Sequence, residues 1–230
     1  EVVALALVNM IFRGDGKNNM NEGNCFQKNI ERVVIEGNIK GKFESRNGNI
    51  IPKNTIITKV LMNPPFALKK GDEKERYFID YALSQMQDDG LLFVLVPISV
   101  MVEGSGKNWR KELLEKNSLL SVITFPEDLF YPVSVGTVGV FIKKGVPHNF
   151  ENQKVYFARA ISDGFRKKKG KRVKVKDSEN KLQEVESELK LFMVNQNLKI
   201  KNKPEFKKIC LLDKTDINIE LVPEAYIESR

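Results

Sequence analysis

The sequence predicts an α/β fold around a mostly parallel sheet, and three observations carry the prediction. Between residues 55 and 145, short apolar runs alternate with longer amphipathic ones, a pattern that stacks helices on a parallel sheet. The run Leu91-Leu92-Phe93-Val94-Leu95-Val96 is apolar throughout and stops at Pro97, as expected of a parallel strand covered on both faces. Turn chemistry separates the runs, with Asn63-Pro64-Pro65 after one, Asp88-Asp89-Gly90 before the next and Gly145 after the last.

Taken in order, the chain opens in a helical pattern, Val2-Val3-Ala4-Leu5-Ala6-Leu7-Val8-Asn9-Met10-Ile11-Phe12. It has neither the basic start nor the small-residue cleavage site of a signal peptide, and its start on Glu1 inside a helix is the pattern of a fragment. Residues 56–62 read as a strand. Residues 73–86 read as a helix, with Tyr77, Phe78, Tyr81, Ala82, Gln85 and Met86 at spacings of three and four. A strand is expected at 91–96, a short helix at 109–116 and a strand at 119–125. In a further strand at 137–144, Val138, Val140 and Ile142 alternate with Gly139, Phe141 and Lys143. Beyond Gly145 come a strand at 154–161, a basic loop, and a helix at 180–193 with Leu182, Val185, Leu189, Phe192 and Met193 on one face. The stretch from 195 to 230 reads as irregular structure or short strands. The expected division is therefore 1–150 for the α/β part and 151–230 for a basic extension, a linker toward a further domain.

Composition narrows the function classes. The chain has 230 residues, with 38 Lys+Arg against 30 Asp+Glu and a net charge of +8. Its longest apolar run, 91–102, is well short of the ~20 residues that span a bilayer, so no membrane segment is expected. Cys25 and Cys210 lie far apart and outside any Cys-x-x-Cys pair, which suits reduced thiols in a cytoplasmic protein without a metal site. His148 is the only histidine, which leaves little room for paired-His ligation or a His-based triad. Residues 1–150 carry 19 basic and 17 acidic side chains, whereas 151–230 carry 19 and 13. The excess sits in one run, 166–176, with eight cations and no acid. Such runs are most often solvated loops; the functional alternative is contact with the phosphates of a polyanion, through Arg166, Lys167, Lys168, Lys169, Lys171 and Arg172.

Asn63-Pro64-Pro65-Phe66 is the segment richest in chemistry. It follows a strand of an open parallel sheet, and such sheets bind ligands beyond the carboxyl ends of their strands. The two prolines fix φ and remove two backbone donors, leaving carbonyl acceptors. Asn63 adds a side-chain acceptor and Phe66 a flat apolar face. Acceptors beside a stacking ring suit the exocyclic amino group of a planar base.

This segment resembles the catalytic motif of S-adenosylmethionine-dependent amino-group methyltransferases, above all N-6 adenine-specific DNA methyltransferases of restriction-modification systems. Other segments resemble the same family in the same order: Ala6-Leu7-Val8-Asn9-Met10, Gly23-Asn24-Cys25-Phe26, the strand Leu91 onward with Gly90 before it, and Phe125-Pro126-Glu127-Asp128-Leu129-Phe130 followed by Val135-Gly136-Thr137. The ordered set points to type I M subunits and type IIG enzymes. The resemblance implies a class I, Rossmann-like methyltransferase fold with an antiparallel last strand. It also implies a flipped-out adenine held by Asn63, Pro64, Pro65 and Phe66, with Phe130 as the candidate for the second stacking face and Asn24 as a cofactor contact. DNA and specificity or restriction subunits or domains would be the partners. Two departures stand out. The family's Phe-x-Gly-x-Gly cofactor loop and its ribose-binding acid are not found, and Asn24 stands where Asp is usual. The chain by itself is therefore expected to be inactive. A methyltransferase fold that only grips DNA or a subunit, and an enzyme acting on RNA guanine or protein glutamine, are the alternatives.

Overall fold

A computed structural model describes residues 2–14, 26, 33–35, 38–40, 57–66, 74–130, 135–196, 203 and 205–227. Helix α1 (Val2–Phe12) opens the chain, and a small antiparallel pair follows, β1 (Val33–Ile35) with β2 (Asn38–Lys40), which the sequence pattern did not announce. Next come β3 (Lys59–Met62), α2 (Glu75–Gln85), β4 (Leu91–Pro97), the short α3 (Ile98–Val102), α4 (Lys107–Lys116), β5 (Ser118–Thr124) and β6 (Thr137–Lys143). The remainder comprises β7 (Lys154–Arg159), the hairpin strands β8 (Phe165–Lys168) and β9 (Lys171–Lys174), α5 (Lys181–Val194), β10 (Lys207–Leu211) and α6 (Pro223–Tyr226).

The central sheet has six strands in the order β10-β7-β5-β6-β4-β3. Four of them, β3, β4, β5 and β7, run in one direction, and β6 and β10 run against them. The α/β class and the mostly parallel sheet are as expected. The antiparallel strand β6 lies inside the sheet, between β4 and β5, because the connection after Thr124 turns back directly instead of crossing over a helix.

Both faces are covered, which is why β5 is buried along nearly its whole length. On one face Leu92, Val94 and Val96 of β4, Val138, Val140 and Ile142 of β6, and Val155 and Phe157 of β7 meet Ile79, Ala82, Leu83 and Met86 and the α4 pair Leu113 and Leu114. On the other face Ile123, Tyr156 and Ala158 meet Val185, Leu189 and Phe192 of α5, together with Phe206. Each fully buried large apolar side chain contributes about 1.5 to 3 kcal/mol. Leu119 and Val122 share a face although three residues apart, because the register shifts between Leu119 and Ser121 and so accommodates one extra residue.

Several expectations are corrected. Helix α2 turns Ile79, Ala82, Leu83 and Met86 into the core, not the stripe led by Tyr77. Tyr77 is exposed, and Phe78 and Tyr81 take the ring of Phe26 at 4.6 and 5.5 Å instead. The basic segment is a β-hairpin, not a loop: Lys169 and Gly170 adopt φ of 45° and 79°, the left-handed pair that a two-residue hairpin turn requires. The stretch after 195 contributes β10, which pairs antiparallel with β7, and then lines the core with Leu212, Leu221, Val222 and Ile227. Tyr226 stacks on Phe157 at 4.2 Å.

That terminal stretch is fastened by a side chain that the hydrophobic pattern hides. Arg110 of α4 is completely buried. Its guanidinium donates to the carbonyls of Val100, Val102 and Glu103, at the end of α3, and of Asn218 and Ile219, at 2.6 to 3.3 Å. A buried charge is tolerable when every donor finds an acceptor. His148 is also buried. Among the described residues its ring nitrogens have no hydrogen-bond partner, it lies edge-on to Phe150, and burial pushes its pKa down to about 4.

Candidate functional site

The four co-directional strands all finish at one edge of the sheet, so the segments after Met62, Pro97, Thr124 and Arg159 gather there. Strand β3 stops early. Met62 pairs with Val94, so β4 runs three residues, about 10 Å, further, and the Asn63 loop lies beside this projection. Asn63 and Pro65 are exposed, Pro64 is buried and Phe66 is half-buried. Pro64 thus anchors the loop while the amide of Asn63 faces solvent, an arrangement that keeps a polar acceptor accessible on a stiff backbone.

The turn after β5 delivers the second ring. Phe125 closes the strand with its N–H on the carbonyl of Thr137, Leu129 N–H bonds the Pro126 carbonyl, and Phe130 is half-buried. Phe66 and Phe130 come together edge to face, with centroids 6.1 Å apart and planes at 86°. Two rings clamping a base would be parallel and about 7 to 8 Å apart, two van der Waals contacts. Phe130 therefore braces Phe66 in this structure and does not face it across a base-sized gap. Gly139 serves the same edge: a Cβ there would lie 2.8 Å from the rings of both Phe93 and Phe125.

The basic hairpin rises from this edge as well. It leaves β7 at residue 160 and returns to α5 at Asn180, whose side chain caps the helix by accepting from Gln183 N–H at 3.1 Å. Pairing of Asp163 with Asn180 and the bond from Val175 N–H to the Gly164 carbonyl close its neck. Arg166, Lys167, Lys168, Lys169 and Lys171 are exposed around the tip. Arg172 is different. It forks onto Asp163 with two bonds of 2.7 Å, reaches Asp128 at 3.3 Å, and lies over the Phe165 ring at 5.6 Å. The bond from Arg172 holds the Asp163 carboxyl below its usual range against the opposing effect of burial, and the same pairing raises Arg172. The neighbours in this clasp are nine and forty-four residues away in sequence, so no local spacing signals it.

Asn24 lies outside the described residues. Among the described residues no group of His, Cys, Asp and Glu could hold a metal ion, and no helix is long and apolar enough to cross a membrane. Cys210 is half-buried, with its thiol pKa raised by burial.

A family model for N-6 DNA methylases matches residues 1–229. The chain belongs to the N-6 DNA methylase family. Among the curated relatives of this chain, the type II restriction enzyme and methyltransferase RM.BcgI of Heyndrickxia coagulans is 33% identical over 173 residues, covering 71% of this chain and 24% of the relative. The type I restriction enzyme EcoKI methylase subunit of Escherichia coli K12 is 27% identical over 140 residues, covering 55% of this chain and 26% of the relative. The chain thus spans about a quarter of the length of these relatives. A solved type I restriction-modification methyltransferase subunit from Streptococcus thermophilus superposes on 76% of this chain and 39% of its own length, at a TM-score of 0.58 and 20% identity. That likeness establishes a shared fold.

Proposed function

We propose that this methylase chain supplies the substrate-binding edge of a DNA adenine-N6 methyltransferase from a cytoplasmic restriction-modification system. The position of the Asn63 loop carries the proposal: in a member of this family, Asn63-Pro64-Pro65-Phe66 emerges at the carboxyl edge of the sheet, with the Phe66 ring braced by Phe130. The curated relatives named for restriction and methyl transfer support the same assignment.

S-adenosylmethionine, when bound, supplies the methyl group as a sulfonium. Asn24 is the candidate cofactor contact of this chain. An adenine amino group is a poor nucleophile because its lone pair is delocalised into the ring. The Asn63 side-chain oxygen and the Pro64 carbonyl accept its two hydrogens and draw the lone pair back onto nitrogen as it attacks. Because both acceptors are fixed before the reaction, they stabilise developing charge without reorganising, an effect of about 2.7 to 4 kcal/mol for one well-placed group. No general base is needed before transfer. The target atom is unreachable inside a duplex, so the base must leave the stack. The Phe66 ring receives it, and Phe130 holds Phe66 in place.

Arg166, Lys167, Lys168, Lys169 and Lys171 bind backbone phosphates and set the register of the duplex without reading its sequence. Arg172 is committed to Asp163 and Asp128, so its part is to hold the hairpin. Residues 151–230 carry this DNA-facing device toward a target-recognition region, and specificity and restriction subunits or domains are the proposed partners. The test is Asn63→Ala in the complete active enzyme containing this chain. Turnover should fall about 100- to 1000-fold with S-adenosylmethionine affinity nearly unchanged in calorimetry; undiminished turnover would refute the role.

A further inference from the structure

We infer that Arg172 is a positioning residue that couples the DNA-facing hairpin to the ring pair at the candidate site. The inference rests on the methyltransferase proposal above and adds to it a link between phosphate contact and base capture. Arg172 belongs to β9, yet one of its nitrogens reaches Asp128 at 3.3 Å, in the turn after β5. Phe130 is two residues beyond Asp128, and its ring meets Phe66 at 6.1 Å. A continuous line of contacts thus runs from hairpin to clasp to turn, and on through Phe130 and Phe66 to the Asn63 loop.

The geometry favours transmission over simple surface pairing. Arg172 is four-fifths buried, Asp163 nine-tenths and Asp128 three-quarters. Both terminal nitrogens of its planar fork are engaged, bidentate on Asp163 and single on Asp128, so it cannot rotate freely as a lysine would. The neck of the hairpin is closed by Asp163 pairing with Asn180, so a displacement of the tip is not absorbed at its base. Across the hairpin, Lys168 stands opposite Lys171. Like charges placed opposite one another are unfavourable, and phosphates bound at the tip would relieve that repulsion and tighten the ribbon. Asp163 and Asp128 already neutralise Arg172.

Asp128 is the residue to test, because it touches neither base nor phosphate in this scheme and its loss leaves the Asp163 fork intact. In the complete active enzyme, Asp128→Ala should leave DNA affinity within about twofold. Its single-turnover methylation rate, and the fluorescence rise of 2-aminopurine at the target position, should each fall about fivefold, the size of a partly exposed ion pair. Asp128→Glu should restore both. Should the Ala variant melt early, the isosteric Asp128→Asn is read by the same criteria. Unchanged rate and fluorescence would overturn the coupling, as would a loss of DNA affinity equal to the loss of rate. Asn63→Ala run alongside separates the two levels: turnover surviving there defeats the methyltransferase proposal, whereas its loss there with a silent Asp128→Ala defeats the coupling alone.

Discussion

Replacing Lys167, Lys168 and Lys169 with Gln tests the hairpin as a phosphate-binding ribbon. Each strand has four residues, so the ribbon is about 13 Å long and covers about four phosphates of one DNA strand, spaced 3.4 Å along the axis. Of the six exposed cations from Arg166 to Lys174, about four can therefore bind separate phosphates, which predicts a slope of about −3.6 in log affinity against log salt. The triple variant keeps half of these cations, about two contacts and a slope near −1.8. Between about 50 and 200 mM salt, the parent should lose roughly 150-fold in affinity and the variant only about twelvefold. Fluorescence anisotropy with two unrelated duplexes measures this, and both should respond alike because phosphates carry no sequence information. A slope identical to the parent, or a loss confined to one duplex, would refute the phosphate role.

Other consequences are equally concrete. Arg110→Met should destabilise the protein by about 3 to 5 kcal/mol, since it removes its bonds to five carbonyls, of which, among the described residues, only Glu103 keeps another donor outside the helices, the Gly106 N–H. Amide hydrogen exchange should show protection lost first at 213–222; uniform loss would mean that Arg110 does not fasten this segment in particular. His148 has a folded-state pKa of about 4 against 6.5, so the native state holds it neutral. Its contribution is complete above pH 6.5 and is lost as pH falls toward 4, by about 3 kcal/mol in all. The melting temperature of His148→Gln should accordingly fall less between pH 7.5 and 5 than that of the parent. Phe66→Ala should abolish most of the 2-aminopurine response with little effect on overall stability, because its ring is half-buried against one aromatic partner; an unaltered response would place Phe66 in the core.

The opposing signs within α5 show why some of this chemistry is structural. Lys207 is almost fully buried, yet it bonds Glu188 and lies 3.1 Å from Glu184, which also takes Lys203 at 2.8 Å. The Lys203 bond, reinforced by Lys207, lowers the Glu184 pKa to about 2. These groups tie α5 to β10 and the residues just before it, and their cations are already paired.

Periodicity alone determined the α/β class, the presence of β4, β5, β6, β7 and α5, and the siting of Asn63-Pro64-Pro65-Phe66 at the end of a strand. These follow from local alternation, from proline and from which residues can be buried, none of which needs a distant partner. The tertiary structure decided the rest. The run Arg166 to Lys176 alternates only at Val173 and Val175 and its first half is wholly polar, yet it forms a ribbon because Lys169 and Gly170 turn it and Asp163 closes its neck. The weakly patterned stretch after 195 joins the sheet because β7 offers it an edge and Arg110 supplies donors from more than one hundred residues away. The separation of Arg172 from its neighbouring cations likewise depends on Asp128, forty-four residues earlier. Sequence patterns show what each segment can bury; pairing between distant charges becomes legible only when the fold has brought them within 3 Å or so of each other.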